Sequence, residues 1–169
     1  MNVIESALMM GISDGIISLT ETGENIHVFG EFPETEDLKF PAIIVEHTGS
    51  GFEEQFMGQK VTLGSTSGTG ETYGASYTIH LICEKETTIQ VASGSFSASD
   101  AYYKQRRLLN WLMLNVANQI MDLNWSVFDE EDTQVLERHL NAWQNIGFIP
   151  DLQWYGASAD FMITFTNVR

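Results

Sequence analysis

The 169 residues carry 43% apolar and 18% charged side chains, which excludes wholesale disorder and allows one domain with a substantial core. Eight Lys and Arg against 23 Asp and Glu leave a formal charge of −15, which excludes a surface that clamps nucleic acid through its phosphates. The single cysteine, Cys83, excludes an internal disulfide, and no apolar run approaches the roughly 20 residues that a membrane helix needs.

Residues 2–10, extending toward Ile17, read as a helix with Val3, Ile4, Leu8 and Ile12 on one face. Gly11 and Gly15 weaken its far end by about 1 kcal/mol each relative to Ala. The segment carries Glu5 before any Lys or Arg and is broken by Gly11, Asp14 and Gly15. It does not read as a secretion signal, so the protein is expected to stay in the cytoplasm or in a particle assembled there. A short strand at 26–29 precedes an acidic loop, 30–39, that holds Pro33, Glu34, Glu36 and Asp37.

Residues 41–47 are β-rich, and Pro41 suits a strand start, where no ladder N–H is required. A turn at 48–51 leads into a first arm, 52–63, a Gly/Ser/Thr stretch at 64–70 and a second arm, 73–84, which together read as a long hairpin. In the second arm Tyr77, Ile79, Leu81 and Cys83 alternate with Thr78, His80, Ile82 and Glu84, the period-two signature of a half-buried strand. The tip, Gly64, Ser65, Thr66, Ser67, Gly68, Thr69 and Gly70, has no apolar side chain to pin it and is expected to be mobile.

A small-residue loop at 92–97 opens the longest periodic segment, 97–123, which contains no Pro or Gly. Leu108, Leu112, Val116 and Ile120 recur every fourth residue, which stacks them on one side of a helix facing a core, and Leu109, Met113 and Leu123 widen that stripe. Ser97 is placed as its N-cap. Away from the stripe, Tyr103, Trp111, Leu114 and Met121 gather into a second apolar patch around Arg107, which with Arg106 forms the only adjacent basic pair. One sheet does not cover both sides, so either a later segment folds over the second patch or another copy of the chain does.

Beyond the helix, 125–128 reads as a strand and 129–132 as an exposed acidic turn. Residues 133–143 fit either a short helix, through Leu136, Leu140 and Trp143, or an extended arm. Pro150 and Asp151 make a turn, 152–155 starts a strand, 156–159 turns, and 160–168 is a strand with Phe161, Ile163 and Phe165 on one face. No repeat or linker divides this order, which implies a single α+β domain, 1–169, with helices on one side of a mainly antiparallel sheet and a long protruding β-hairpin.

Signatures of chemistry are missing. A phosphate loop needs Lys and Ser/Thr after its glycines, whereas Gly70 is followed by Glu71. His27, His47, His80 and His139 are scattered and show no zinc spacing, and Cys83 lies in an apolar run that suits a buried thiol. There is no Gly-x-Ser-x-Gly, and the acidic runs Glu34/Glu36/Asp37 and 129–132 lack the ligand alternation of a calcium loop. The expectation is a non-enzyme with no cofactor, no metal and no catalytic residue. The distant alternative is a metal-dependent hydrolase using Glu46, His47 or the 129–132 run.

With this order of elements the chain resembles the tail terminator and neck proteins of tailed bacteriophages, also called tail-completion proteins. The resemblance rests on the N-terminal helix, the Phe40-Pro41-Ala42-Ile43-Ile44-Val45 strand and the hairpin arm Tyr77-Thr78-Ile79-His80-Leu81-Ile82. The long helix and the closing Phe161-Met162-Ile163-Thr164-Phe165 strand complete it. The segment 129–150 departs from the simplest plan of that family. The resemblance implies a structural virion protein of the tail or neck, with copies of itself arranged in a ring, usually of six. Such a ring caps the tail tube, ends its polymerisation, and joins the tail to the head–tail connector or adaptor protein while DNA passes through without specific binding. It also implies that Tyr103, Arg107, Trp111, Leu114 and Met121 meet a neighbouring subunit, and that residues 64–70 touch the tail tube protein or the connector. A head-completion or adaptor protein of the neck is the related alternative.

Overall fold

The structure, a computed structural model, describes residues 2–20, 26–63, 66–91, 102–123 and 133–168. In chain order they form α1 (Asn2–Ile17), β1 (His27–Phe29), β2 (Ala42–Leu63), β3 (Thr66–Glu84), β4 (Thr88–Gln90) and β5 (Tyr102–Lys104). There follow α2 (Gln105–Asp122), β6 (Thr133–Leu140), β7 (Gln144–Ile149) and β8 (Trp154–Val168). The architecture is α+β with a mainly antiparallel sheet, as expected.

The chain builds two compact units. The first comprises Met1–Glu46, Thr78–Leu123 and Ala142–Ala159, the second His47–Tyr77, Asn124–Asn141 and Asp160–Arg169. Strands β2, β3 and β8 each give residues to both.

In the first unit β1 runs parallel to β2, with His27 opposite Ala42 and Phe29 opposite Ile44. The order continues through β3 and β8, and β7 pairs antiparallel with β8 from Gln144↔Ser158 to Ile149↔Trp154. A bulge between Asn145 and Gly147 interrupts this last ladder; Gly147 takes φ 78, which only glycine adopts without strain, and its N–H donates to Asn145 Oδ1 at 2.8 Å. The core joins the Ile4, Leu8, Ile12 and Ile16 stripe of α1, the Leu108, Leu112, Val116 and Ile120 stripe of α2, and the Ile79, Leu81 and Cys83 face of β3, all of them buried.

The two helices pack antiparallel. A Cβ added at Gly11 would strike the Leu123 side chain, and one at Gly15 would strike Gln119. The glycines that weaken α1 as an isolated helix therefore let α2 approach it closely.

In the second unit the order is β2, β3, β8, β6, with Val135 opposite Phe165, Leu140 opposite Phe161 and a bulge at Leu136. Its buried apolar residues include Ala75, Tyr77, Phe161, Ile163 and Phe165, and the Tyr73 ring stacks on Phe165 at 5.6 Å. The buried Glu71 carboxylate accepts a 2.6 Å hydrogen bond from the Tyr73 hydroxyl, and Thr72 and Thr166 bring their buried hydroxyls to 3.4 Å.

Several boundaries differ from expectation. Tyr102–Lys104 are strand, not helix, because they pair with Thr88–Gln90, a strand the sequence pattern did not reveal. Ser97 and the 92–97 loop lie outside the described residues; the cap position of α2 is Lys104, with no side-chain cap hydrogen bond. Residues 48–51 and 156–159 are not turns but interior to β2 and β8. Residues 133–140 settle as the extended arm and not a helix, and β7 continues it along β8. The proposed 125–128 strand and the 129–132 acidic turn lie outside the described residues.

Candidate functional site

The outward side of α2 is assembled from two elements of the first unit. β5 delivers Tyr103, held opposite Ile89 of β4, and Gln105 then turns the chain into α2 with φ 52. Past this left-handed residue, Arg107 and Trp111 lie against Tyr103. The Arg107 guanidinium lies 4.0 Å from the Tyr103 ring centre, a cation–π contact, and the Trp111 ring meets Tyr103 edge-on at 6.3 Å and 87°. Further along the same side, Leu114 is 63% exposed and Met121 46% exposed. Tyr103, Arg107 and Trp111 are thus brought together, but Tyr103 arrives from a strand and not by the helical spacing expected of it, while Leu114 and Met121 extend the apolar surface along the helix.

This end of α2 is also the most basic part of the chain. Lys104, Arg106 and Arg107 are three of eight basic residues, all exposed, and no acidic residue sits in the first turn. Cations there oppose the helix dipole instead of balancing it, so the positive potential is concentrated.

The other expected contact segment is placed differently. Gly64 and Ser65 lie outside the described residues, and Thr66, Ser67, Gly68, Thr69 and Gly70 belong to β3 instead of forming a loop. Ser67 and Thr62 bring their hydroxyls to 3.0 Å across the hairpin, and Gly70 is buried.

Polar groups gather in two further places. In the first unit the His80 Nε2–H donates to Glu46 Oε2 at 2.9 Å, and the exposed Phe32 ring packs on the imidazole with centroids 4.8 Å apart. The pair ties β3 to β2 and supplies an oriented imidazole without an adjacent nucleophile in the described contacts. In the second unit an open trough of about 680 Å³ crosses the sheet. Gly49, Ser50, Gly74 and Ser76 are among the residues that line it, with Glu137 and His139 of β6. Sequence reasoning missed the trough; glycines inside alternating strand patterns, Gly49 and Gly74, were the available signal.

Among the described residues no three His, Cys, Asp or Glu side chains converge as metal ligands. Cys83 is buried, and burial pushes its thiol up to about 12. His27 is held below its usual value by burial and by the Lys39 charge. No helix among the described residues is long and apolar enough to cross a membrane.

The chain matches no protein-family model and no curated protein.

Proposed function

We propose that this chain is a structural component of a tailed-phage virion, a tail terminator or neck protein whose copies close into a ring, of six by the family plan, at the end of the tail tube. The observation that carries the reading is the outward side of α2. A helix whose Leu108, Leu112, Val116 and Ile120 are fully buried presents a second surface of Trp111, Tyr103, Leu114 and Met121. Exposed apolar groups contiguous with an aromatic cluster suit a subunit interface better than a solvated face. The net charge of −15 supports the same role, because an acidic ring repels the phosphates of DNA passing through it. The far end of the β2–β3 hairpin, beside Thr62 and Ser67, is the segment assigned to the tube or connector.

Sedimentation of the purified protein, alone and with isolated tail tubes, tests this. The expected result is a closed oligomer that binds tube ends and stops their growth. A single copy at every concentration that leaves tubes uncapped would overturn the proposal. Labelling that places the protein at the capsid vertex of tail-less particles would instead assign it to the head side of the neck.

A further inference from the structure

We infer that the ring contact is a head-to-tail pairing between the basic, aromatic end of α2 in one copy and the acidic loop after β1 in the next. This deepens the ring reading and rests on it. Three observations carry it: the net charge of each surface, the distance between them and the aromatic rings each one holds.

The positive surface is Lys104, Arg106 and Arg107 beside Tyr103 and Trp111. The negative surface is the loop in which Glu31, Glu34, Glu36 and Asp37 are all exposed, four carboxylates against the single cation Lys39, together with Phe32, 54% exposed; at the basic end Glu86, two residues before the Thr88 partner of Lys104, leaves three cations against one carboxylate. Among the described residues, neither Lys104 nor Arg106 nor any of these four carboxylates makes an ion pair within the chain. The acidic surface sets its charge beside an exposed ring and the basic surface beside two half-buried ones, so the two complement each other in sign and both offer aromatic contact.

The two surfaces are too far apart to satisfy each other in one molecule. α1 and α2 run antiparallel, with Gly15 beside Gln119 and Gly11 beside Leu123. A Cβ at Gly30, where the acidic loop begins, would lie 2.9 Å from Glu5 Oε1 and 3.1 Å from Met9 Sδ, so the loop leaves from the first turns of α1. The basic group sits at the first turn of α2, beyond the other end of α1. At 1.5 Å per residue the separation along the helical layer is roughly 30 Å, about three Debye lengths at moderate salt.

Opposite charges at opposite ends also select the symmetry. A two-fold contact through the α2 end would set Lys104, Arg106 and Arg107 against the same three cations of the second copy and be repelled. A head-to-tail contact pairs unlike ends and repeats, which generates rings when the rotation closes.

The test uses the full chain and two charge-reversed variants, Lys104→Glu/Arg106→Glu and Glu34→Lys/Glu36→Lys, all at exposed positions. Sedimentation velocity in low and in half-molar salt reads the association, with circular dichroism as a check on folding. The expected result is that each variant alone loses association by about tenfold or more. Mixing the two restores assemblies of alternating copies, and high salt weakens the wild-type oligomer. Variants that assemble as the wild type does, a mixture that fails to restore assembly, or a wild-type oligomer indifferent to salt would overturn this pairing while leaving the ring reading standing. A wild-type chain that stays single at every concentration would overturn the ring reading and the pairing with it.

Discussion

Both sides of α2 carry large apolar residues, with opposite fates. On one, Leu108, Leu112, Val116 and Ile120 are wholly removed from water by α1 and the sheet of the first unit. On the other, Trp111 is half-buried against Tyr103 while Leu114 and Met121 remain exposed. Periodicity identifies which residues share a side, but it does not say which side a partner covers. The fold covers one apolar stripe of this helix; the second is the one the proposed ring would cover.

Leu112→Asp places an unpaired charge in the core of the first unit and should cost about 4 kcal/mol or more, leaving no cooperative thermal transition at ordinary temperature. Trp111→Asp should cost about 2 kcal/mol, from the lost edge-to-face contact and partial burial, and leave a folded chain that no longer self-associates in sedimentation. Equal loss of fold in the two would erase the distinction between the sides.

Cys83 reports on the covered side alone. Its folded pKa is raised to about 12 from an ordinary 9.0, so its contribution to stability is complete below pH 9 and declines above it, where the unfolded chain releases a proton that the folded chain keeps. The native thiol should resist alkylation at pH 8 and become reactive on denaturation, and melting at pH 10 should show a loss of about 1 kcal/mol that Cys83→Ala lacks. Rapid alkylation of the native protein would show that the core is open. Smallest of all, Gln105→Gly relieves the left-handed backbone at the start of α2 and should raise stability by about 0.5–1 kcal/mol without altering association.

The buried stripe of α2 and the alternation of Ile79, Leu81 and Cys83 were legible in sequence because burial there follows a local period. The start of α2 was not. Tyr102 and Tyr103 suit a helix by spacing and a strand by side-chain shape, and only their partners on β4, outside the local sequence window, decide between the two. Residues 156–159 look like a turn because Gly156, Ala157 and Ala159 are small, yet all four are strand residues, and those three are buried. The basic patch was visible only as an adjacent Arg pair. Its meaning depends on Lys104 joining it and on the acidic loop lying at the far end of α1, which is information carried by helix packing.

The sheet order sets β3 between β2 and β8, although β2 precedes it directly and β8 comes much later in the chain. During synthesis the β2–β3 hairpin can zip as soon as it emerges, and it must then wait with an unsatisfied row of amides and carbonyls until the distant strand arrives. That interval is when the polypeptide is most exposed to sticking to its siblings in the wrong register. Folding yield should therefore fall with expression rate more steeply than the finished molecule's resistance to heat would suggest.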